Sequence, residues 1–462
     1  MSTPAPSTPA VVHRKRRNAE AALIALALVI VIFAFCAVGL GTRGEIPPFV
    51  GGLAALVTLI AVATHVVVRF VAPYADPVLV PLVVALNGLG IAMLYRLDLA
   101  GVGRVGGGSQ EFAGKQMIWT GVGLAAFVAV LLVVRDHRKL QRYTYTFGLA
   151  ALVLLVLPLL PVIGKTINGA RIWVGVGPLS LQPGEFAKIC LAIFFAGYLV
   201  VKRDALALAG RRILGVDLPR GRDLGPILVG WLASLGILVF QRDLGSSLLF
   251  FGLFVVMLYV ATERPGWLVV GTLLFVGGAA FAATTISHVQ SRIDAWLHPF
   301  PVTAGSDQLV QGLFGMAWGG LLGRGLGQGS PYLTPFSYSD FIFASMGEEL
   351  GLAGAMAILL MYGLLVERGL RIALLCRDGF GKLLATGLAV SIALQVFVVV
   401  GGVTRVIPLT GLTTPFMSYG GSSILANWMI VALLLRISDQ SRRPPPETAP
   451  VQFDDSTQVV KL

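Results

Sequence analysis

Charge is scarce in this chain of 462 residues: 13% are Asp, Glu, Lys or Arg, against about 25% in soluble globular proteins. That scarcity excludes an ordinary soluble domain, because whole segments have no solvated face to offer. Cysteine is scarce too. Cys36, Cys190 and Cys376 lie scattered in or beside apolar runs, without disulfide pairing or metal-ligand spacing, and read as packing residues. The Gly-rich stretch GGLLGRGLGQGSP lacks a preceding strand and a Lys-Ser/Thr ending, which excludes a nucleotide-binding loop. It is either plain turn chemistry or part of a functional loop.

What is present is apolar sequence. Hydrophobic residues make up 56% of the chain and the mean hydropathy is +0.83. A bilayer core takes about 20 apolar residues per helix. Twelve spans are expected, near 20–41, 48–71, 77–97, 115–134, 143–163, 184–201, 224–241, 245–262, 266–287, 341–365, 382–402 and 415–436. The fold class is therefore an all-α polytopic membrane protein. The first apolar run is too long for a cleaved signal peptide.

Threading twelve spans puts 24 of the 35 basic residues on the side that holds both termini, 10 on the other, and Lys188 inside a span. By the positive-inside rule both termini are cytoplasmic. The net charge of +12 is then orientation bias and anionic-lipid contact, not a nucleic-acid footprint. The tails, residues 1–19 and 438–462, read as disordered.

The outward side carries the informative features. Most outward loops are short, but residues 287–340 form a long excursion rich in Gly, Pro and polar residues. The segment KTINGARIWVGVGPLSLQPGE is expected at the membrane interface, with Trp173 as an anchor.

Charges at membrane depth face a cavity or a partner. Glu185 and Lys188 stand one helical turn apart, either as a structural ion pair or as part of a site. Asp243, after Arg242 in QRDLGSS, is either a helix cap or a working acid. Asp340 has the same two readings. Glu348 and Glu349 lie about 12 Å deeper by helical rise, too deep for caps. Carboxylates and arginines at an outward mouth suit two classes. A transporter would place acids at the midplane; an enzyme would use one acid as a base while arginines hold an anionic leaving group. Most of these charges sit at outer helix ends, which favours the enzyme.

Five motifs stand in order: NGARIW (168–173), LQPGEFAK (181–188), QRDLGSS (241–247), SDFIFASMGEELG (339–351) and PFMSYGGSS (415–423). With these motifs the chain resembles the SEDS family (shape, elongation, division and sporulation) of RodA and FtsW type over about residues 76–437. Two further spans, within residues 20–75, precede the family's ten, and RDHRKL, GKLLATGL and GGVTRVIPLTGLTTP resemble the actinobacterial RodA branch most. The chain reads RDLG, SDF, QPGE and SDQLVQG where the family often reads otherwise.

The resemblance implies polymerisation of lipid II into β-1,4 glycan on the outer face of the cytoplasmic membrane, in elongation, with division-type polymerisation or lipid II flipping as alternatives. It places the family's essential acid at Asp340, expected as general base. Asp243 is expected to support it, or to hold the divalent cation (Mg²⁺ or Mn²⁺) that members commonly need. Arg171, Lys188, Arg242, Arg292, Arg324 and Arg405 are candidates for the pyrophosphate, since guanidinium forks suit phosphate oxygens. Glu185, Gln311 and Ser418 complete the substrate-binding set, and Glu348 and Glu349 are expected to support the bundle.

No Ser-x-x-Lys motif with an outward domain is present, so crosslinking needs a partner. The resemblance implies a class B penicillin-binding protein with one membrane span. Its span is expected on FGLFVVMLYVA or WLVVGTLLFVGGAAFAA, where Gly271, Gly277 and Gly278 allow close approach, unless that face simply meets lipid.

Overall fold

The computed structural model describes residues 15–46, 50–102, 111–167, 169–176, 179–207, 211–213, 216–218, 240–300 and 306–444, with isolated positions 232, 236, 237 and 302. The expected span 224–241, Asn168 of the first motif, Arg14 and most of both tails lie outside the described residues.

In hydrocarbon every backbone N–H and C=O must find a partner within the chain, so apolar runs of this length settle as helices. The helices are α1 (Arg17–Arg43), α2 (Val50–Val71), α3 (Leu79–Leu99), α4 (Phe112–Val133), α5 (Thr144–Val156), α6 (Gly184–Ala207), α7 (Leu244–Thr262), α8 (Gly266–Thr285), α9 (Ser287–Leu297), α10 (Asp307–Gly319), α11 (Ile342–Leu375), α12 (Gly379–Val403) and α13 (Gly421–Arg442). Among the described residues eleven segments are long and apolar enough to span, one of them running from the 3₁₀ turn at His137 through α5 to Leu159. Burial sorts them. The apolar windows of α3 and α13 are 94% and 83% buried, so these two form the centre, while α8 is only 11% buried and lies at the rim. Leu26, Phe33, Phe70 and Leu273 are exposed on α1, α2 and α8, as lipid-facing side chains are.

Both described ends meet at one face of the bundle. Arg442 of α13 donates to Asp76 at 2.5 Å, Arg443 to Asp439 at 2.7 Å, and Arg17 of α1 reaches the Ala75 carbonyl and Glu20. These bonds explain why α13 continues past residue 437 and why α1 starts at Arg17, both within stretches expected to be disordered. The other end of α13 starts later than expected, because residues 415–420 form a loop with Phe416 at φ 66.

The opposite face departs more from expectation. The interfacial segment folds into a small antiparallel sheet, β1 (Gly164–Ile167), β2 (Ala170–Val176) and β3 (Leu179–Leu181), with Lys165 opposite Trp173. A two-stranded sheet, β4 (Arg211–Ile213) and β5 (Val216–Leu218), follows α6. The long excursion contains two helices, α9 and α10, and the Gly-rich loop after them packs on α11.

α11 is broken at Gly351 (φ 69, ψ −172), and the loop supplies the partners the break removes. The carbonyls of Glu348 and Glu349 accept from the backbone N–H groups of Arg324 and Gly325, and Leu352 and Ala353 donate to the carbonyls of Gly320 and Leu321. A Cβ on Gly351 would stand 2.2 Å from the Gly323 nitrogen, so only glycine permits this approach. The Gly-rich stretch is thus a brace for a broken helix beneath Asp340.

Candidate active site

Asp340 sits two residues before α11 and does not cap it. The cap position is Phe341, which makes no side-chain capping bond. The turn that carries Asp340 is instead clamped by the loop before α13: Ser418 donates its hydroxyl to the Ser339 carbonyl at 2.6 Å and accepts from the Thr414 N–H at 2.8 Å, and the Tyr419 N–H donates to the Tyr338 carbonyl at 2.9 Å. Tyr338 stacks on Phe112 with centroids 4.4 Å apart and meets Tyr419 edge-on. Partial burial pushes the Asp340 carboxyl up from 3.8 to about 6, against the pull of the Ser339 hydroxyl and of Arg292.

Arg292, on α9, faces Asp340 across Gly411. A Cβ on Gly411 would lie 3.6 Å from Asp340 Oδ2 and 3.6 Å from Arg292 Nη2. The Arg292 Nη1 donates to the Leu409 carbonyl at 2.7 Å, which fixes the guanidinium there. Burial lowers its pKa, while Asp340 and then Asp243 hold it up. Asp243 caps α7, accepting from the Ser246 N–H at 3.0 Å. Its pKa is raised by burial, lowered by Ser246 and Arg292, and raised by Glu185. The charges therefore form a chain: Lys188, Glu185, Asp243, Arg292, Asp340.

The inner end of that chain is closed. Lys188 Nζ donates to Glu185 at 2.6 Å, Gln395 at 2.9 Å and Asn427 at 3.3 Å, which uses its three protons. Gln395 in turn donates to the Thr413 carbonyl at 2.9 Å, and Asn427 to Ser423 at 3.2 Å. Gln395 and Asn427 carried no sequence signal, because neutral polar residues inside a span read as ordinary helix.

The other candidates separate by what they hold. Arg171 donates to the carbonyls of Pro158 and Leu160 at 3.0 and 3.2 Å, tying the sheet to the end of the α5 segment. Arg405 donates to the Trp296 carbonyl at 2.8 Å and accepts from the Trp296 indole N–H at 3.0 Å, which fastens α9. Arg324 lies 3.7 Å over the Trp318 ring. Gln311 donates to Asp307 at 2.7 Å, one turn back on α10. Arg242 is exposed beside Asp243, and His288 is pushed below 6.5 by burial, by Arg242 and by Arg292. His288, which the sequence reading did not name, thus stands beside these two arginines. Glu349 pairs with Arg96 at 2.8 Å and accepts from the Gly327 N–H at 2.9 Å; Glu348 accepts from the Ser330 N–H at 2.5 Å. Both acids hold the brace, in keeping with a supporting role.

Four non-glycine residues around the site hold left-handed backbone: Arg242 (φ 60), Phe336 (φ 58), Arg405 (φ 62) and Phe416 (φ 66). Such strain concentrates at functional sites. As to a cation, no three His, Cys, Asp or Glu ligand atoms converge here among the described residues; the one such group is His137, Cys376 and Asp378, where His137 and Asp378 bond at 2.9 Å, at the opposite face. The Asp243 carboxylate, engaged by Ser246, would suit a Mg²⁺-like ion only with substrate phosphates and water completing the shell.

The family described as cell cycle protein, of FtsW, RodA and SpoVE, matches residues 77–443. The peptidoglycan glycosyltransferase RodA of Mycobacterium tuberculosis is 48% identical over 431 residues, 93% of this chain and 92% of that protein. Among solved structures, a chain described under "Structural coordination of polymerization and crosslinking by a peptidoglycan synthase complex" superposes with a TM-score of 0.62 at 28% identity, over 79% of this chain and 98% of that one. The Thermus thermophilus rod shape determining protein RodA superposes with a TM-score of 0.55 at 28% identity, over 80% and 98%. The family match begins six residues after α2 ends, so α1 and α2 stand outside it. By sequence and by fold, the chain belongs to the FtsW, RodA and SpoVE family.

Proposed function

We propose that this membrane peptidoglycan glycosyltransferase polymerises lipid II in the recess between Asp340, Arg292 and Asp243, at the outer face of the cytoplasmic membrane, with both termini in the cytoplasm, in cell elongation. The acceptor's GlcNAc 4-hydroxyl attacks the donor's anomeric carbon. The new C1–O4 bond forms as the C1–O bond to the polyprenyl pyrophosphate breaks, and the α-linked donor becomes a β-linked product. Asp340 takes the hydroxyl proton. A base is most useful when its pKa lies near the working pH, and a carboxyl at about 6 is ionised at neutral pH yet far more basic than a free aspartate. Arg292 facing the acid across Gly411, in a chain of this family, is the observation that carries the reading.

Arg292 and Arg242 stabilise the departing pyrophosphate: Arg292 is held beside Asp340 with only Nη1 given to the Leu409 carbonyl, and Arg242 is exposed beside Asp243, whereas Lys188 has all three protons engaged and Arg171 and Arg405 fasten carbonyls away from the acid. Asp243 orients Arg292 and, where a divalent cation takes part, holds it with the pyrophosphate; cation dependence that survives Asp243→Asn unchanged removes that second role. The purified chain with lipid II should yield long glycan in a gel assay. Translocation of lipid II across vesicles without any polymer would instead assign the recess to flipping.

The crosslinking partner, a class B penicillin-binding protein, docks its membrane span on α8. Leu273, Leu274, Val276 and Phe281 are exposed on that helix, and a Cβ on Gly277 or Gly278 would meet nothing within 4 Å. Gly271 does not belong to this open face, because it packs on Val255 of α7. Gly277→Leu with Gly278→Leu should reduce co-purification of the partner while the bundle still folds. An undiminished complex moves the interface elsewhere, with the exposed stripe Leu352, Met356, Leu360 and Leu364 of α11 next in line.

A further inference from the structure

At the face where the two described ends meet, a recess of ≈ 600 Å³ opens between the start of α1 and the end of α2. Lys15, Arg16, Arg17, Asn18, Arg69 and Phe70 line it. Four of those six side chains are cationic. The acids near Arg17 are already engaged: Glu20 by Arg17 and by His65 at 2.8 Å, Asp76 by Arg442 at 2.5 Å and Asp439 by Arg443 at 2.7 Å. Lys15, Arg16 and Arg69 are exposed, and among the described residues none of them lies in an ion pair; Lys15 sits 5.4 Å over the Tyr74 ring and Arg69 donates to Asn18 at 3.3 Å.

Two independent features point to an anion. Arg17 is only 4% exposed, and its Nε, buried in the wall of the recess, has no hydrogen-bond partner. A guanidinium N–H without an acceptor is costly to bury. In addition α1 starts without a side-chain cap, so its first N–H groups and the positive end of its dipole face the same space. Phosphate oxygens in the recess would accept from Lys15, Arg16, Arg69 and the open start of α1, beside the positive charge of Arg17. The surroundings choose the source of the phosphate. Phe70 lines the recess and is 79% exposed, and Leu23, Leu26 and Val66 continue an exposed apolar surface behind it along α1 and α2. A headgroup in the recess would have its acyl chains against those side chains.

We infer that the recess between α1 and α2 binds the phosphate headgroup of an anionic phospholipid, a site outside the polymerase centre and contributed by the two helices that the family match omits. Basic pockets between spans bind anionic headgroups in this way. The test uses the full chain in detergent micelles doped with phosphatidylglycerol or, in a parallel arm, phosphatidylcholine of the same acyl chains, with bound lipid counted by native mass spectrometry. Wild type should retain phosphatidylglycerol preferentially. At about 1 kcal/mol per basic residue, Arg16→Gln with Arg69→Gln should lower that preference about thirtyfold. Arg16→Lys with Arg69→Lys should keep it, and the melting temperature in phosphatidylcholine should be the same for all three. Lys15→Gln provides a milder variant should the double change impair folding. Undiminished phosphatidylglycerol preference in the Gln variants overturns the site. Displacement of the lipid by millimolar inorganic phosphate overturns the lipid as its occupant and assigns a soluble phosphate.

Discussion

Asp340→Asn separates catalysis from structure, because the two should move in opposite directions. Burial lifts this carboxyl from 3.8 to about 6, which at 1.36 kcal/mol per pH unit is a preference of about 3 kcal/mol for the protonated form. The native state then holds its proton more tightly than the unfolded chain does. Stability from this group is complete below about pH 4, falls as pH rises towards 6, and is level above. At pH 7.5 the ionised carboxylate therefore destabilises the fold by up to about 3 kcal/mol. Asparagine keeps the shape and carries no charge. Its variant should melt at the same temperature as wild type or higher, whereas lipid II polymerisation should fall by about 10²–10⁴, the usual contribution of a positioned base. A cap role would give the reverse, lower stability with activity retained.

The wild-type pH profile completes the test. Polymerisation should rise about tenfold per pH unit below pH 6 and level off above it, since only the ionised form accepts a proton. Gel-resolved glycan from purified protein at a series of pH values, with melting curves of both proteins at pH 7.5, reads everything needed. Activity in Asp340→Asn, or a rate independent of pH between 5 and 7.5, refutes the assignment.

Three further outcomes follow from the same geometry. Arg292→Gln removes the cation that pulls the Asp340 pKa down, so the acid limb of the pH–rate profile should move above 6 and the maximal rate should drop; an unmoved limb means the two groups do not communicate. Lys188→Met leaves Glu185 buried and unpaired, a loss of about 3–5 kcal/mol, and Glu185→Gln in the same chain should restore much of the melting temperature; a double variant no better than the single denies the pair. Gly41→Ala would put a methyl 2.1 Å from the Leu326 carbonyl, pushing α1 off the brace that Gln328 holds by donating to the Gly41 carbonyl at 2.6 Å; polymerisation should fall several-fold with the bundle intact, and full activity would show that α1 does not steady the site.

How much of this was legible in the sequence differs from residue to residue, for physical reasons. The spans were legible because a hydrocarbon solvent leaves few conformations open, and about 20 apolar residues name one of them. The acids at 340, 348 and 349 were legible as anomalies for the same reason. What each acid does was not. Glu349 finds Arg96, which is 253 positions away in the chain, and Asp340 faces Arg292 from a different helix across a glycine in a third segment. Neither pairing has a period or a spacing. The basic residues illustrate the same limit. Arg171 lies in a motif, yet its fork donates to two carbonyls at the end of the α5 segment, while Arg292 lies in no motif and is held beside the acid.

The small sheet and the brace were illegible for a different reason. Polar outward segments look alike in composition whether they fold or not, and β1–β3 is specified by pairing rather than by apolar content. The brace depends on Gly351, which in the sequence is one glycine among 56. Its meaning appears only when the broken helix exposes the carbonyls of Glu348 and Glu349 to the N–H groups of Arg324 and Gly325. The side chains of the same two acids accept from the N–H groups of Ser330 and Gly327 in the same loop. An unbroken α11 would satisfy its own backbone and leave the loop without those partners. Two buried carboxylates and one glycine at positive φ thus anchor the loop over the start of α11, and the acid two residues before that start is held in place from below as well as by Ser418 from the side.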